Sequence, residues 1–215
     1  LLAVSKPVGL PTMGVADDRP TLLSVAKDYV RHKYNKPGNV YLGVVSRLDA
    51  PVSGVVLLAR TSKAAARLNQ QFRERLVQKL YWAVVTGEVD PVAGELEHFL
   101  RKDERHRRMH TTSQNASSAV RAHLNYQVRR TKSDLCWLEV RPTTGRKHQI
   151  RVQLAKCGHP IVGDRKYGSR HPFAAGIALH ARRLVVRHPV TKADVVIAAR
   201  PPDSWKRLSV VDLYE

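Results

Sequence analysis

Apolar positions along this chain follow two rhythms, and switching between them marks out the elements. The opening LLAVS is a short strand-like run ended by Lys6-Pro7-Val8-Gly9, where proline and glycine punctuate. From Thr21, the apolar residues Leu22, Leu23, Val25, Ala26, Tyr29 and Val30 recur with helical spacing, which predicts a helix through about Lys33, stopped by Asn35, Pro37 and Gly38. VYLGVV (40–45) and Val55 to Ala59 are apolar runs of strand length. Thr61 or Ser62 suits the N-cap of a helix over SKAAARLNQQFRERL, and KLYWAVVTGEV is a strand running into a turn. The polar, basic stretch from His98 to Ser118 reads as an extended or looped excursion. Residues 119–130 and 134–141 read as a strand pair. KHQIRVQLAKCG places Ile150, Leu154 and Cys157 at i, i+4 and i+7 of a helix closed by Gly158. Strands are expected again at 178–187 and 192–198, with a last helix, SWKRLSVV, capped by Asp203. Strands and helices mix without strict alternation, so the expected class is α+β, in one domain over residues 1–215 with no internal repeat.

Composition changes the picture in one respect. Lys and Arg number 37 against 18 Asp and Glu, a formal charge of +19, so the chain should attract polyanions, with nucleic acid the leading partner. No apolar stretch approaches the roughly 18 residues of a membrane span, and the first residues lack a signal peptide's basic flank and cleavage site. A cytoplasmic protein is expected. The two cysteines, Cys136 and Cys157, have no metal-ligand spacing and read as buried, reduced thiols.

Three clusters could carry chemistry. In SRLDAPVSG (46–54), a strand would point Arg47 and Asp49 the same way with Leu48 inward. That pair could be a structural ion pair at a strand end. Alternatively, the turn made by Pro51 and Gly54 could hold a carboxylate at the rim of a cleft, available as a nucleophile or charge stabiliser. In TTGRKHQIRVQL (143–154), helical spacing sets Lys147 and Arg151 on one face with His148 beside them. The face is either solvated, or a phosphate clamp with one cation turned toward a carboxylate. Tyr81, at the start of its strand, suits core packing or catalysis. FLRKDERHRRMH (99–110) could track a phosphate backbone or be solvated, and His106 and His110 lack a partner acid, so no metal is expected. There is no GxxxxGK loop, no GxGxxG after a strand and no HExxH.

Taken in order, KPVGLP, VSRLDAPVSGVVLLART, KLYWAVVTGEV, TTGRKHQIRVQLAKCGHPIVGDRKYG, ALHARRLVVRHPVT and the late RPP closely resemble the RluA-type pseudouridine synthases over nearly the whole chain. The resemblance implies a mixed, largely antiparallel sheet with flanking helices and a cleft across its middle. It implies that Asp49 is the essential aspartate, Tyr81 the tyrosine that packs on the target base, and Arg151 the cation paired with the aspartate. Arg47 would help hold the RNA open, and Arg146, Lys147 and His148 would lie near the RNA. The implied reaction isomerises uridine in ribosomal or transfer RNA and needs no cofactor, nucleotide or metal; the expected partner is RNA, with the protein acting as a monomer away from membranes.

This chain departs from the usual pattern at Ser46, where many members carry histidine, at Ala50-Pro51, where many carry an Arg-Asp pair, and at Lys147, where threonine is common. The small RNA-binding domain preceding the catalytic domain of many relatives is not among these residues. Two alternatives stand beside the isomerase. One is a catalytically silent RNA binder on the same scaffold. The other is a glycoside-bond hydrolase, which would need a second carboxylate about 5 to 9 Å from Asp49; Asp164, in a GD loop that reads as structural, is the nearest candidate in these blocks.

Overall fold

The computed structural model describes residues 1–14 and 19–213. Its centre is β3 (Ser53–Ala59), which is buried along its whole length because both of its faces are covered by helices. Val55, Leu57 and Ala59 point toward Ala65 and Leu68 of α2 (Ser62–Arg73), while Val56 and Leu58 point toward Leu22, Ala26 and Val30 of α1 (Leu22–Lys33). This explains the unbroken apolar run in the sequence. Both helices start at threonine N-caps: Thr21 accepts from the Ser24 amide in a reciprocal capping box, and Thr61 accepts from the Ala64 amide.

Ten strands among the described residues form one sheet. The remaining strands are β1 (Leu2–Lys6), β2 (Gly43–Val44), β4 (Gln78–Thr86), β5 (Ala93–Asp103), β6 (Arg108–Thr112), β7 (Val120–Lys132), β8 (Leu135–Pro142), β9 (Leu179–Arg187) and β10 (Asp194–Ala198). The path runs β1-β3-β9-β4-β8-β7-β5-β6, with β2 on β3 and β10 on β9. Every strand pairing among the described residues is antiparallel except that of β3 with β9, which lasts for two residue pairs, Ser53 with His180 and Gly54 with Ala181. The α+β class and the mixed, largely antiparallel sheet agree with the sequence reading.

A second core lies under β4 and β8, where Trp82 and Trp137 meet edge to face at 4.9 Å between centroids. It takes in Ile150 and Leu154 of α3 (Gln149–Lys156), while Val152 on the same helix packs with Leu100, Met109 and Ala122.

Several expectations are corrected. VYLGVV contributes only the two residues of β2. The basic stretch from His98, by contrast, is extended and looped as expected: it runs through the hairpin β5–β6, with His106 in the turn and His110 on a strand. The last helix shortens to a 3-10 turn, Asp203–Arg207, which seats Trp205 in the core. Cys136 is buried, but Cys157, at the C-cap of α3, is exposed. Most relevant to function, Arg47 to Asp49 lie in a loop before β3, not on a strand.

Candidate active site

The Asp49 loop is fastened to the segment that follows β1. Lys6 is fully buried, and its Nζ donates to the carbonyl oxygens of Pro7, Leu10 and Ala50 at 2.7, 2.8 and 3.2 Å. The amide of Gly9 also donates to Ala50 O, at 2.8 Å. Thr12 Oγ1 donates to Leu48 O at 2.9 Å and accepts from the Leu48 amide at 3.1 Å. Burial pulls the Lys6 ammonium down to about 8, against the nearby negative charge of Asp49. On the far side, Ser46 Oγ accepts from the Leu57 amide at 2.9 Å and so ties the loop to β3. Ser46, one of the three departures from the pattern this chain resembles, therefore has a structural partner.

Inside this frame, Arg47 and Asp49 part company. Arg47 is exposed at the cleft and makes no ion pair among the described residues. The carboxylate of Asp49 is partly buried and meets Arg151, whose Nη1 donates to Oδ2 at 2.9 Å. The structural Arg47–Asp49 pair is thus ruled out. Arg151 in turn donates to Asp164 through Nε (2.7 Å) and Nη2 (2.8 Å), a two-pronged contact with a carboxyl that is 1% exposed. Burial opposes the charge on Arg151; Asp164 first and Asp49 second outweigh it and hold its proton more tightly than usual. The guanidinium also lies 5.1 Å from the ring centre of Tyr167.

This geometry settles the reading of the second cluster. Residues Gln149 to Leu154 are buried all round α3, so the helix presents no solvated basic face. Arg151 is the cation turned inward, and Lys147 does not ride on the helix with it: it is exposed in the turn before α3. Arg146 is exposed too, with Nε donating to Arg121 O at 3.0 Å. His148 turns the other way. Its side chain is 8% exposed, and its Nε2 lies 3.6 Å from Asp49 Oδ2.

Tyr81 enters the cleft from β4, beside a bulge between Leu80 and Tyr81 that shifts the register against β9. Burial, and then the charge of Asp49, push its phenol up to about 12, so the hydroxyl is protonated at neutral pH. Asp49, Tyr81, Arg151 and Arg47 line a single cleft of about 950 Å³, together with Arg146, Lys147, His148 and Arg183. Lys79 also lines it, donating to Thr144 O at 3.0 Å, with its ammonium lowered by burial to about 8. Nothing in the sequence singled out Lys6, Thr12 or Lys79 as members of the site, Asp164 entered only as a second carboxylate for a hydrolase, and Tyr167 was not weighed. The signal for the last two was the GDRKYG block, which returns the chain to Arg151.

The arrangement is one carboxylate aimed into a basic cleft beside an aromatic ring. The second carboxylate, Asp164, is engaged through both oxygens by the guanidinium and shut off from the cleft, so it cannot act as the water-activating base that a hydrolase requires.

The sequence model of the RNA pseudouridylate synthase family matches residues 1–156, and the chain belongs to that family, in its RluA-type branch. It is an isomerase of RNA uridines by family. The chain is 30% identical, over 97% of its length and 68% of the relative's, to the uncharacterized RNA pseudouridine synthase YhcT of Bacillus subtilis. It is 31% identical, over 93% of its length and 89% of the relative's, to the dual-specificity RNA pseudouridine synthase RluA of Pasteurella multocida. The solved structure of human RNA pseudouridylate synthase domain containing 4 superposes with a TM-score of 0.80 at 25% identity, covering 98% of this chain and 90% of the human one.

Proposed function

We propose that Asp49 carries out the isomerisation of uridine to pseudouridine in a structured RNA, ribosomal or transfer. The single observation that carries this reading is the Asp49–Arg151–Asp164 chain, which fixes a carboxylate in the cleft that Tyr81 also lines. In the reaction the N1–C1′ bond breaks, the uracil turns over, and C5 bonds to the same C1′. C5 gives up a proton and N1 takes one up, so atoms and electrons balance without a cofactor. Asp49 engages the nucleotide as the glycosidic bond opens. Tyr81, protonated, packs on the freed base. Arg151 holds the carboxylate, and the exposed Arg47, Arg146 and Lys147 meet the phosphates around a nucleotide drawn out of its stack at a few kcal/mol. No helix among the described residues is long and apolar enough to cross a membrane. We further propose that the protein acts on its RNA as a monomer in the cytoplasm.

The test compares native-host RNA from cells carrying the intact gene and Asp49→Ala, mapping pseudouridine by carbodiimide adducts that stop reverse transcriptase. Stops lost in the variant identify the RNA and the nucleotide together. An unchanged map, with the variant expressed, would reduce the protein to a silent RNA binder.

A further inference from the structure

His148 occupies a position where helix chemistry calls for a different residue. It is the N-cap of α3, yet it has left-handed backbone angles (φ 53°, ψ 18°) and makes no side-chain cap. N-caps are ordinarily extended Ser, Thr, Asp or Asn, and a non-glycine residue at positive φ costs on the order of 1 kcal/mol or more. The ring is committed elsewhere. Its Nδ1 lies 2.8 Å from the hydroxyl of Tyr167, and that oxygen already accepts from the Met109 amide at 3.0 Å. The single proton of the Tyr167 hydroxyl is therefore free to go to Nδ1, which leaves the imidazole hydrogen on Nε2. On its other side Nε2 faces Asp49 Oδ2 at 3.6 Å, and a carboxylate oxygen only accepts. The opposite tautomer would put two lone pairs face to face there and leave the Tyr167 proton without this acceptor. Both neighbours select the same form.

We propose that His148 is a positioning residue for Asp49 rather than an RNA contact: Tyr167 fixes it as the Nε2–H tautomer, and that N–H steers Oδ2, the same oxygen that accepts from Arg151 Nη1. At 3.6 Å the contact is too long for a hydrogen bond, and it closes to one when the nucleotide displaces the carboxylate toward the ring. Arg151 supplies charge to Asp49, and His148 supplies direction. The proposal rests on the isomerase reading above, and its test separates the two.

The decisive variants are His148→Asn and His148→Gln, measured beside the wild type and Asp49→Ala on the RNA identified by mapping. Asparagine tolerates positive φ and can still accept from Tyr167, but it is too short to offer a donor to Asp49. Glutamine places an amide N–H near the Nε2 position. The expected result is a single-turnover rate lowered about 10- to 100-fold in His148→Asn, with RNA affinity within about twofold and most of the rate restored in His148→Gln. A weakened affinity with an unchanged rate at saturation, or no change in either, overturns the proposal while leaving Asp49 its role. If the wild type isomerises no RNA, the isomerase reading itself fails. The ring nitrogen shifts of His148 by NMR then still decide the tautomer: protonated Nε2 and bare Nδ1 are expected, becoming a mixture in Tyr167→Phe, and a protonated Nδ1 in the wild type sinks the proposal.

Discussion

Asp164 grips the Arg151 guanidinium through both of its oxygens, and only the remaining nitrogen, Nη1, is left for Asp49. Asp164 thus sets the direction from which charge reaches the cleft, although it is 1% exposed. Asp164→Asn should lower stability by about 3 to 5 kcal/mol, since it leaves a buried cation short of a partner. It should also lower the isomerisation rate more than it weakens RNA binding. Denaturant melts and single-turnover assays check the two parts; unchanged stability would mean that the pair is not buried in solution.

Lys6→Met removes the donor shared by the carbonyls of Pro7, Leu10 and Ala50. An unsatisfied buried acceptor costs about 1–3 kcal/mol, partly offset by no longer burying a charge, so a net loss of about 2 kcal/mol is expected. The more telling readout is local. Amide exchange should accelerate at Gly9, which donates to Ala50, before it changes in β8. Uniform protection would show that the loop holds without Lys6.

Stability should fall in mild acid because of two histidines. His180 is fully buried between Ser53 and Ala199; Nε2 donates to Ala199 O at 3.1 Å, so Nδ1 accepts from Ser53 Oγ at 2.8 Å and the ring is neutral. Burial lowers it to about 4, and burial does the same to His148, where Asp49 pulls upward while Arg151, Lys147 and Lys166 push downward. Both folded values lie below the unfolded one near 6.5. Between pH 4 and 6.5 the unfolded chain therefore binds more protons. The stability these rings contribute is complete above about 6.5 and is lost as pH falls toward 4, on the order of a few kcal/mol in all. Melts from pH 7.5 to 4.5 should show the decline, and a shallower one in His180→Gln. Identical slopes would remove His180 from the explanation.

RNA affinity should depend steeply on salt, and part of that dependence should reside on the β5–β6 hairpin. Arg101, Arg105 and Arg107 are exposed there, whereas Asp103 is occupied by His106 and Arg108. Changing the three arginines to glutamine should reduce the slope of log K against log salt by up to about 3, roughly one per lost phosphate contact. Activity at low salt should change little. An unaltered slope would place the hairpin away from the RNA.

The parts of this molecule legible in the sequence were those where local pattern and burial agree. β3, α1 and α2 follow their apolar rhythm because each packs one defined face, or two, against the core. The β5–β6 hairpin was obscured because its strands carry basic residues at exposed positions, leaving Leu100 and Met109 as sparse inward markers. The strand geometry considered for Arg47–Asp49 does not apply because the loop is held by Lys6 and Thr12, more than thirty residues away in sequence, and no periodicity encodes such contacts. At the site, Asp49, Tyr81 and Arg151 do meet in one cleft. The inward turn of His148 was invisible, because helical spacing extrapolated back from α3 cannot foresee a left-handed residue at its first boundary.

The two-residue parallel seam between β3 and β9 is the narrowest join along the main path of the sheet, and its β3 side begins at Ser53, just after the Asp49 loop. At Gly54 (φ 119°) any added Cβ would overlap the Ala181 backbone, while Ala181 and Leu179 line the cleft above it. The floor of the cleft is consequently a keystone: a single methyl group at position 54 would pry the two wings of the sheet apart beneath the residues proposed to hold the nucleotide.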